Sequence, residues 1–345
     1  GDHRDLHSFP TRRSSDLQPQ MVPPTFAIIP ISIALGWFLY YKNTDLAVSS
    51  IIAVAGVILS IYFGFQFPVE LPESGIIGFS PLMFWFVILM IYAAVASVLP
   101  VNILLQPRDY LSTYILFGSM ALAMLALLWI HPELHTPAYR GGFSEEQGPV
   151  WPMLFVLVAC GAVSGFHSLV AGGTTSKQLS VESQGRPIAY GGMLTEGVVA
   201  VVTVLLVSGG LYWVAPASGG IDMNTLGFRE TLQSGGWILA YGNGFGNLVH
   251  QMLPFLSFTF ASMIAVLALN TFVLTTLDSA VRITRFIVQE SVGEKIVLFK
   301  NKYVCTILVV FFSYLIVATD GWQKIWPIFR SEERRVGKEC RSRWS

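Results

Sequence analysis

The sequence predicts an all-α fold, a polytopic transmembrane helix bundle of about eight spans. Two observations predict it. Of the 345 residues, 53% are hydrophobic and only 12% are charged. The apolar residues also fall in blocks of ~16 to 24 separated by short polar segments, and ~20 apolar residues in a helix cross the ~30 Å hydrocarbon layer. Helices buried inside a soluble protein would need polar faces, which these blocks lack.

Eight spans follow in order: Phe26 to Tyr41, Leu46 to Phe65, Pro81 to Leu99, Tyr110 to Ile130, Trp151 to Gly172, Tyr190 to Val214, Met252 to Leu277 and Tyr303 to Val317. The ends differ in kind. Residues 1–17 and 330–345 are polar and hold nine of the 21 Lys and Arg. Both resemble translated sequencing-adapter read-through, so they are left out of the fold and residues 18–329 are expected to form the transmembrane region. The competing reading is a pair of basic tails for lipid or nucleic acid. With the tails set aside, no nucleic-acid partner is expected.

The 12 remaining cations fix an orientation. Alternate loops hold Lys42; Arg108; Lys177 and Arg186; then Arg282, Arg285, Lys295, Lys300 and Lys302, against Arg140, Arg229 and Lys324 on the other side. Nine against three places the first set in the cytoplasm. Cys160 and Cys305 lie within spans, where a thiol packs, and Cys340 belongs to a tail.

Four groups of residues carry candidate chemistry. The first is Ser164 to Gly192, where an apolar run gives way to His, Gly, Thr, Ser and Lys. His167 lies ~24 Å along a helix from Trp151 at ~1.5 Å per residue, beyond the midplane. Gly172 and Gly173 followed by Thr174 and Thr175 suggest a helix that unwinds and presents backbone groups with hydroxyls, tolerated at membrane depth only against protein or water. The plain alternative is a glycine-capped helix end with His167 as a satisfied hydrogen-bonding residue; with its near-neutral pKa, His167 is otherwise a proton carrier.

The second group is Asn270 to Glu290. Asn270, Thr271, Thr275, Asp278 and Arg282 recur at helical spacing on one face, with Thr276 and Ser279 beside it. Such a stripe faces the bundle interior or a water path, because it faces lipid only at high cost. Thr275, Thr276, Asp278 and Ser279 offer hard oxygen ligands for Na⁺, or Asp278 accepts a proton. An Asp278 to Arg282 pair marking the helix end is the bland reading. No other metal site and no cofactor are expected.

Glu196, among Met193, Leu194, Gly197 and Val198, is the third candidate, an intramembrane carboxylate or one that reaches water. The fourth, Gln106 to Asp109, reads best as a turn carrying a topogenic charge. The sequence has no Walker loop, His-Glu-x-x-His site or Gly-x-Ser-x-Gly elbow. Ser164, His167 and Ser168 leave an intramembrane hydrolase formally open, but hydroxyl and imidazole are equally expected in a transport path, and no enzyme is expected.

Three ordered runs, Ala96 to Gly118, Ser164 to Gly197 and Phe272 to Glu290, carry a family likeness. The chain resembles the carbon starvation protein A family over nearly all of residues 18–329. The resemblance implies a multi-pass protein of the bacterial inner membrane importing peptides or pyruvate, coupled to H⁺ or Na⁺ by alternating access, with the bilayer as its other partner. A channel or starvation receptor without coupled transport is the alternative. Family members are longer, so an internal fragment is expected. This sequence carries VAGG before TTSKQL where a more Ser-rich version is expected, which weakens a hydroxyl-specific role there.

The family is grouped with transporters of two inverted five-helix repeats. That grouping implies that the broken span Trp151 to Lys177 is the sixth core helix, that Met252 to Leu277 is the eighth and the first retained span the second, and that substrate sits near the midplane with His167 and the Thr275 to Ser279 region close by.

Overall fold

The computed structural model describes residues 19–319, apart from residues 43, 70, 73–80, 102, 140, 145–147, 152–153, 155–157, 159–164, 215–221 and 294–295. Both expected tails, Ser164 and most of the span from Trp151 lie outside the described residues. The fold is helical: α1 (Val22–Tyr41), α2 (Leu46–Gln66), α3 (Pro81–Val98), α4 (Leu105–Ile130), α5 (Gly165–Val170), α6 (Gly185–Gly210), α7 (Met223–Leu226), α8 (Phe228–Met252), α9 (Phe258–Gly293) and α10 (Lys302–Ala318). The described strands are a two-residue antiparallel pair, Phe143–Ser144 with Gly148–Pro149.

Among the described residues, five helices are long and apolar enough to cross a membrane, and two shorter apolar helices, Met83–Val98 and Lys302–Ala318, accompany them. This is a multi-pass membrane protein. Local chemistry sets the helix ends. Prolines at the first positions of α1 suit an N-terminus whose first N–H groups have no intrahelical partner. The Asp45 carboxylate accepts from the N–H of Ala47 at 2.8 Å and of Val48 at 3.2 Å, capping α2. The Asn301 amide oxygen does the same for Tyr303 at 2.9 Å in α10.

The chain divides into two compact units, residues 1–136 with 190–280 and residues 137–189 with 281–345. In the first unit, α1, α2 and α4 pack together, and α4 also packs on α8. One apolar cluster joins Met120, Leu206, Phe245, Leu248 and Ala265. Another joins Ile28, Val57, Ile238, Met263 and Leu267.

Helix α8 is the element that hydropathy does not mark: by hydropathy, residues 215–251 only connect two spans. It is not one straight rod. Thr231 Oγ1 and Asn243 Nδ2 both donate to the same carbonyl, that of Thr225, at 3.2 and 2.8 Å. Twelve residues apart on a straight helix, those side chains would be ~18 Å from each other. The chain folds back at Gly236, whose φ of 68° and ψ of −164° only glycine adopts cheaply. Both ends are tied to the end of α6: Phe228 N donates to Tyr212 O at 2.9 Å, and Asn247 Nδ2 donates to Gly210 O at 2.8 Å. The segment therefore enters and leaves at the same end of the bundle.

Two boundaries differ from the sequence reading for a clear reason. Met252 ends α8, and Pro254 in the connection precedes α9, which starts at Phe258. Helix α4 starts at Leu105, not Tyr110, because Pro107 fits a first helical turn. Arg108 thus joins the helix. It is not a loop charge.

In the second unit, α5 passes into a π-helical turn at Ala171–Thr175 and a 3₁₀ turn at Ser176–Gln178. The helix is widened at Gly172 and Gly173, and the chain turns extended at Leu179. Ser176 Oγ donates to Gly172 O at 2.8 Å. Lys177 Nζ lies 5.7 Å from the Phe286 ring centroid, and the buried Arg285 guanidinium lies 4.6 Å from it.

Candidate functional site

The polar stripe on α9 is buried, as its chemistry requires. Thr271 and Asp278 are fully buried, and Arg282 and Arg285 nearly so. Asn270, Thr275 and Ser279 are half-buried, whereas Thr276 is exposed. The hydroxyls turn inward on their own helix: Thr271 Oγ1 donates to Ala268 O, and Thr275 and Thr276 both donate to Phe272 O.

Around Asp278 the first unit assembles a charged cluster from three helices. Arg108 Nη1, from the first turn of α4, pairs with Asp278 Oδ2, and both side chains have 0% exposure. Tyr92 on α3 donates its hydroxyl proton to the same Oδ2 at 2.9 Å, and Arg108 Nη1 reaches the Tyr92 oxygen as well. A second carboxylate stands on the other side of the guanidinium: Asp109 Oδ1 is 3.7 Å from Arg108 Nη2, with its side chain 54% exposed. One arginine is thus shared between a sealed carboxylate and an open one. Taking charges out of water costs several kcal/mol per ion, so such a pair persists only when closely matched and hydrogen-bonded.

Sequence reasoning found Asp278 and missed its partners. The sequence marks Arg108 as a topogenic loop charge, and the structure corrects this: among the described residues it is one of the largest fully buried side chains. Tyr92 was not singled out, since one tyrosine in an apolar helix gives no signal. A cation and an anion in separate apolar segments was the usable clue, because each needs a partner at membrane depth.

One turn away from the cluster lies a cavity of ≈ 70 Å³ walled by Phe26, Trp85, Leu274 and Leu277, with Thr25 and Asn270 as its polar lining. Phe26 and Trp85 rings meet at 5.4 Å between centroids. Leu277 adjoins Asp278 in sequence, and Leu89, also in the lining, precedes Tyr92 by one turn. Measured from Phe258 at ~1.5 Å per residue, Asn270 lies ~18 Å and Asp278 ~30 Å along α9.

The other expected site residues are placed as follows. Glu196 is exposed on α6 beside exposed Met193, Leu194 and Val198. His167 is exposed on α5, and Gly172, Gly173, Thr174 and Thr175 form the π turn in the second unit. Ser164 is outside the described residues. Among the described residues, no group of His, Cys, Asp and Glu could hold a metal ion.

The sequence model of the family described as Carbon starvation protein CstA matches residues 14–218 and 222–333. The chain belongs to this family. Among curated proteins, it is similar to the peptide transporter CstA of Helicobacter pylori strain 26695, 30% identical over 349 residues, covering 87% of this chain and 50% of that protein. It is similar to the peptide transporter CstA of Mycobacterium tuberculosis strain H37Rv, 32% identical over 307 residues, covering 77% and 40%. The pyruvate/proton symporter BtsT of Escherichia coli K12 is 28% identical over 370 residues, covering 87% and 51%. The chain spans about half the length of such relatives, or less. No solved structure matches. In this CstA-family chain the Tyr92, Arg108 and Asp278 cluster therefore sits in a context named for transport, with a largely apolar cavity one turn away.

Proposed function

We propose that the native-length protein is a secondary active importer of short peptides or pyruvate, working by alternating access in the bacterial inner membrane. The observation that carries the coupling is the buried Arg108 and Asp278 pair with Tyr92 on its shared oxygen. A proton on Asp278 cancels the attraction that holds Arg108, and the open Asp109 is at hand to take the guanidinium. One protonation thereby moves a cation from a sealed to an open partner. Two packings of the same helices then differ by the cost of one buried ion pair, a free-energy gap that a gradient can drive.

H⁺ is favoured over Na⁺ on the same grounds. A sodium ion at Asp278 would stand beside a guanidinium already on that carboxylate, and like charges at that distance repel strongly in a low dielectric. The names of the relatives, peptide transporter and pyruvate/proton symporter, support the substrate classes and the proton. With the buried Arg108, Arg282 and Arg285 set aside, the six-to-three bias of the remaining cations supports the cytoplasmic placement of the α4 and α9 inner ends. We extend the same reading to the widened turn at Gly172 and Gly173, as the broken helix of a five-plus-five repeat core in which backbone groups with Thr174 and Thr175 meet the substrate. Within the first unit, Asn270 and Ser279 line the path beside Asp278.

Uptake of labelled dipeptides and pyruvate into membrane vesicles, with imposed pH and Na⁺ gradients, tests the proposal. Expected is saturable uptake driven by the pH gradient and abolished by Asp278→Asn with the protein still in the membrane. Flux without saturation or gradient dependence would instead support a channel, and undiminished uptake by Asp278→Asn would reject the coupling role.

A further inference from the structure

We infer that the cavity between α1, α3 and α9 is a subsite for an uncharged, apolar side chain of a transported peptide, with Thr25 and Asn270 receiving the adjoining amide. The inference rests on the transporter reading above and adds to it where selectivity resides.

The chemistry of the lining carries it. Thr25 and Asn270 are its polar side chains, no lining side chain is charged, and the rest are aliphatic, aromatic or methionine. An anion entering here would lose water without gaining a cation, at a cost of several kcal/mol on the order of an unpaired buried charge. Pyruvate and the charged ends of a peptide are thus excluded from this cavity. The Phe26 and Trp85 rings, 5.4 Å apart, instead give an aliphatic group broad apolar faces. The volume of ≈ 70 Å³ is smaller than the about 150 Å³ that holds a benzene ring. It suits a branched aliphatic side chain better than an aromatic one.

Two atoms point to an amide beside that side chain. Thr25 Oγ1 and Asn270 Oδ1 are buried, and among the described residues neither makes a hydrogen bond. Leaving a buried acceptor unsatisfied costs about 1–3 kcal/mol, so both atoms favour a ligand that brings a donor. A peptide N–H adjoining an aliphatic side chain is such a donor. The floor of the cavity supplies the link to coupling. Leu277 directly precedes Asp278, so a side chain seated against Leu277 bears on the backbone that carries the ion pair.

The test is made on the native-length protein in membrane vesicles, using leucylglycine, glycylglycine and pyruvate. Leu274→Phe fills the cavity and is expected to lower the ratio of leucylglycine to glycylglycine uptake at least tenfold. A ratio within twofold of the wild type overturns the subsite. Should Leu274→Phe fail to reach the membrane, Val273→Phe is read in the same way. Binding is measured separately with Val273→Cys in a background whose native cysteines are serine. Leucylglycine is expected to slow maleimide modification at least fivefold, and glycylglycine and pyruvate less than twofold. Equal protection by pyruvate, or none by leucylglycine, rejects the subsite. Protection without any uptake rejects the transport reading and keeps the subsite, whereas gradient-driven uptake with an unchanged ratio and no protection does the reverse.

Discussion

Arg108 and Asp278, 170 residues apart in the chain, meet as an ion pair with no solvent exposure on either side chain. Neither residue has that partner in its own helix. The pair ties the start of α4 to the inner part of α9, and Tyr92 adds α3 to the same point.

Breaking the pair from one side leaves the other charge buried without its closest counter-ion. Arg108→Met and Asp278→Leu should each destabilise the protein by about 3–5 kcal/mol, and the double substitution by less than either, because it buries no charge. Thermal unfolding of the detergent-purified protein measures this. A double variant less stable than both singles would contradict it. All three should lose pH-driven uptake, since each lacks the carboxylate or the guanidinium whose pairing carries the coupling.

Tyr92→Phe removes one hydroxyl and leaves the ring. The lost bond is to an ionised group and is worth about 1.5–3 kcal/mol. We expect a loss of roughly tenfold or more in the rate of gradient-driven uptake, at an unchanged protein level. Unaltered uptake would mean that the hydroxyl only fills space.

The fold-back at Gly236 predicts which face the flanking segments share. Single cysteines at Asn224 and at Phe255, an 83% exposed position, should both react with a membrane-impermeant maleimide added to the same side of intact cells. Labelling of one from outside and the other only from inside would show that α8 crosses the membrane. Gly236→Ala forces a Cβ into a backbone region that is essentially glycine's own, at a cost of about 1–3 kcal/mol. A lower melting temperature checks it.

A close approach between α6 and α8 gives a steric prediction. A Cβ on Gly210 would lie 2.7 Å from the Gly244 Cα, with main chain on the other side unable to turn away. Gly210→Val should therefore cost about 1–3 kcal/mol or more through overpacking, seen as reduced accumulation in the membrane. Gly118→Val, where nothing lies within 4 Å of an added Cβ, is the control expected to accumulate normally.

The legible parts of this protein are those written locally. Runs such as residues 46–66 declare a membrane helix by length and apolarity alone, and Asp45 declares its start by the carboxylate that caps it. The spacing of Thr271, Asp278 and Arg282 likewise announces a buried face before any neighbour is known. Helix α8 escaped because its Gly, Ser and Asn residues depress hydropathy, while their value lies in close packing: Gly244 against α6, and Asn243 and Asn247 on distant carbonyls.

The sequence by itself determined the membrane class, the family, most of the spans and a short set of candidate polar residues that includes Asp278 and Glu196, since each depends on residues within a few turns of one another. Only the tertiary structure decided that Arg108 is a buried counter-ion and not a loop charge, that Phe228 to Met252 doubles back, and that Thr25 and Asn270 face one cavity. The reason is physical. Hydropathy and capping act along the chain, whereas the cost of a lone buried charge or an unmet polar atom is settled by whichever residue folding brings to its side.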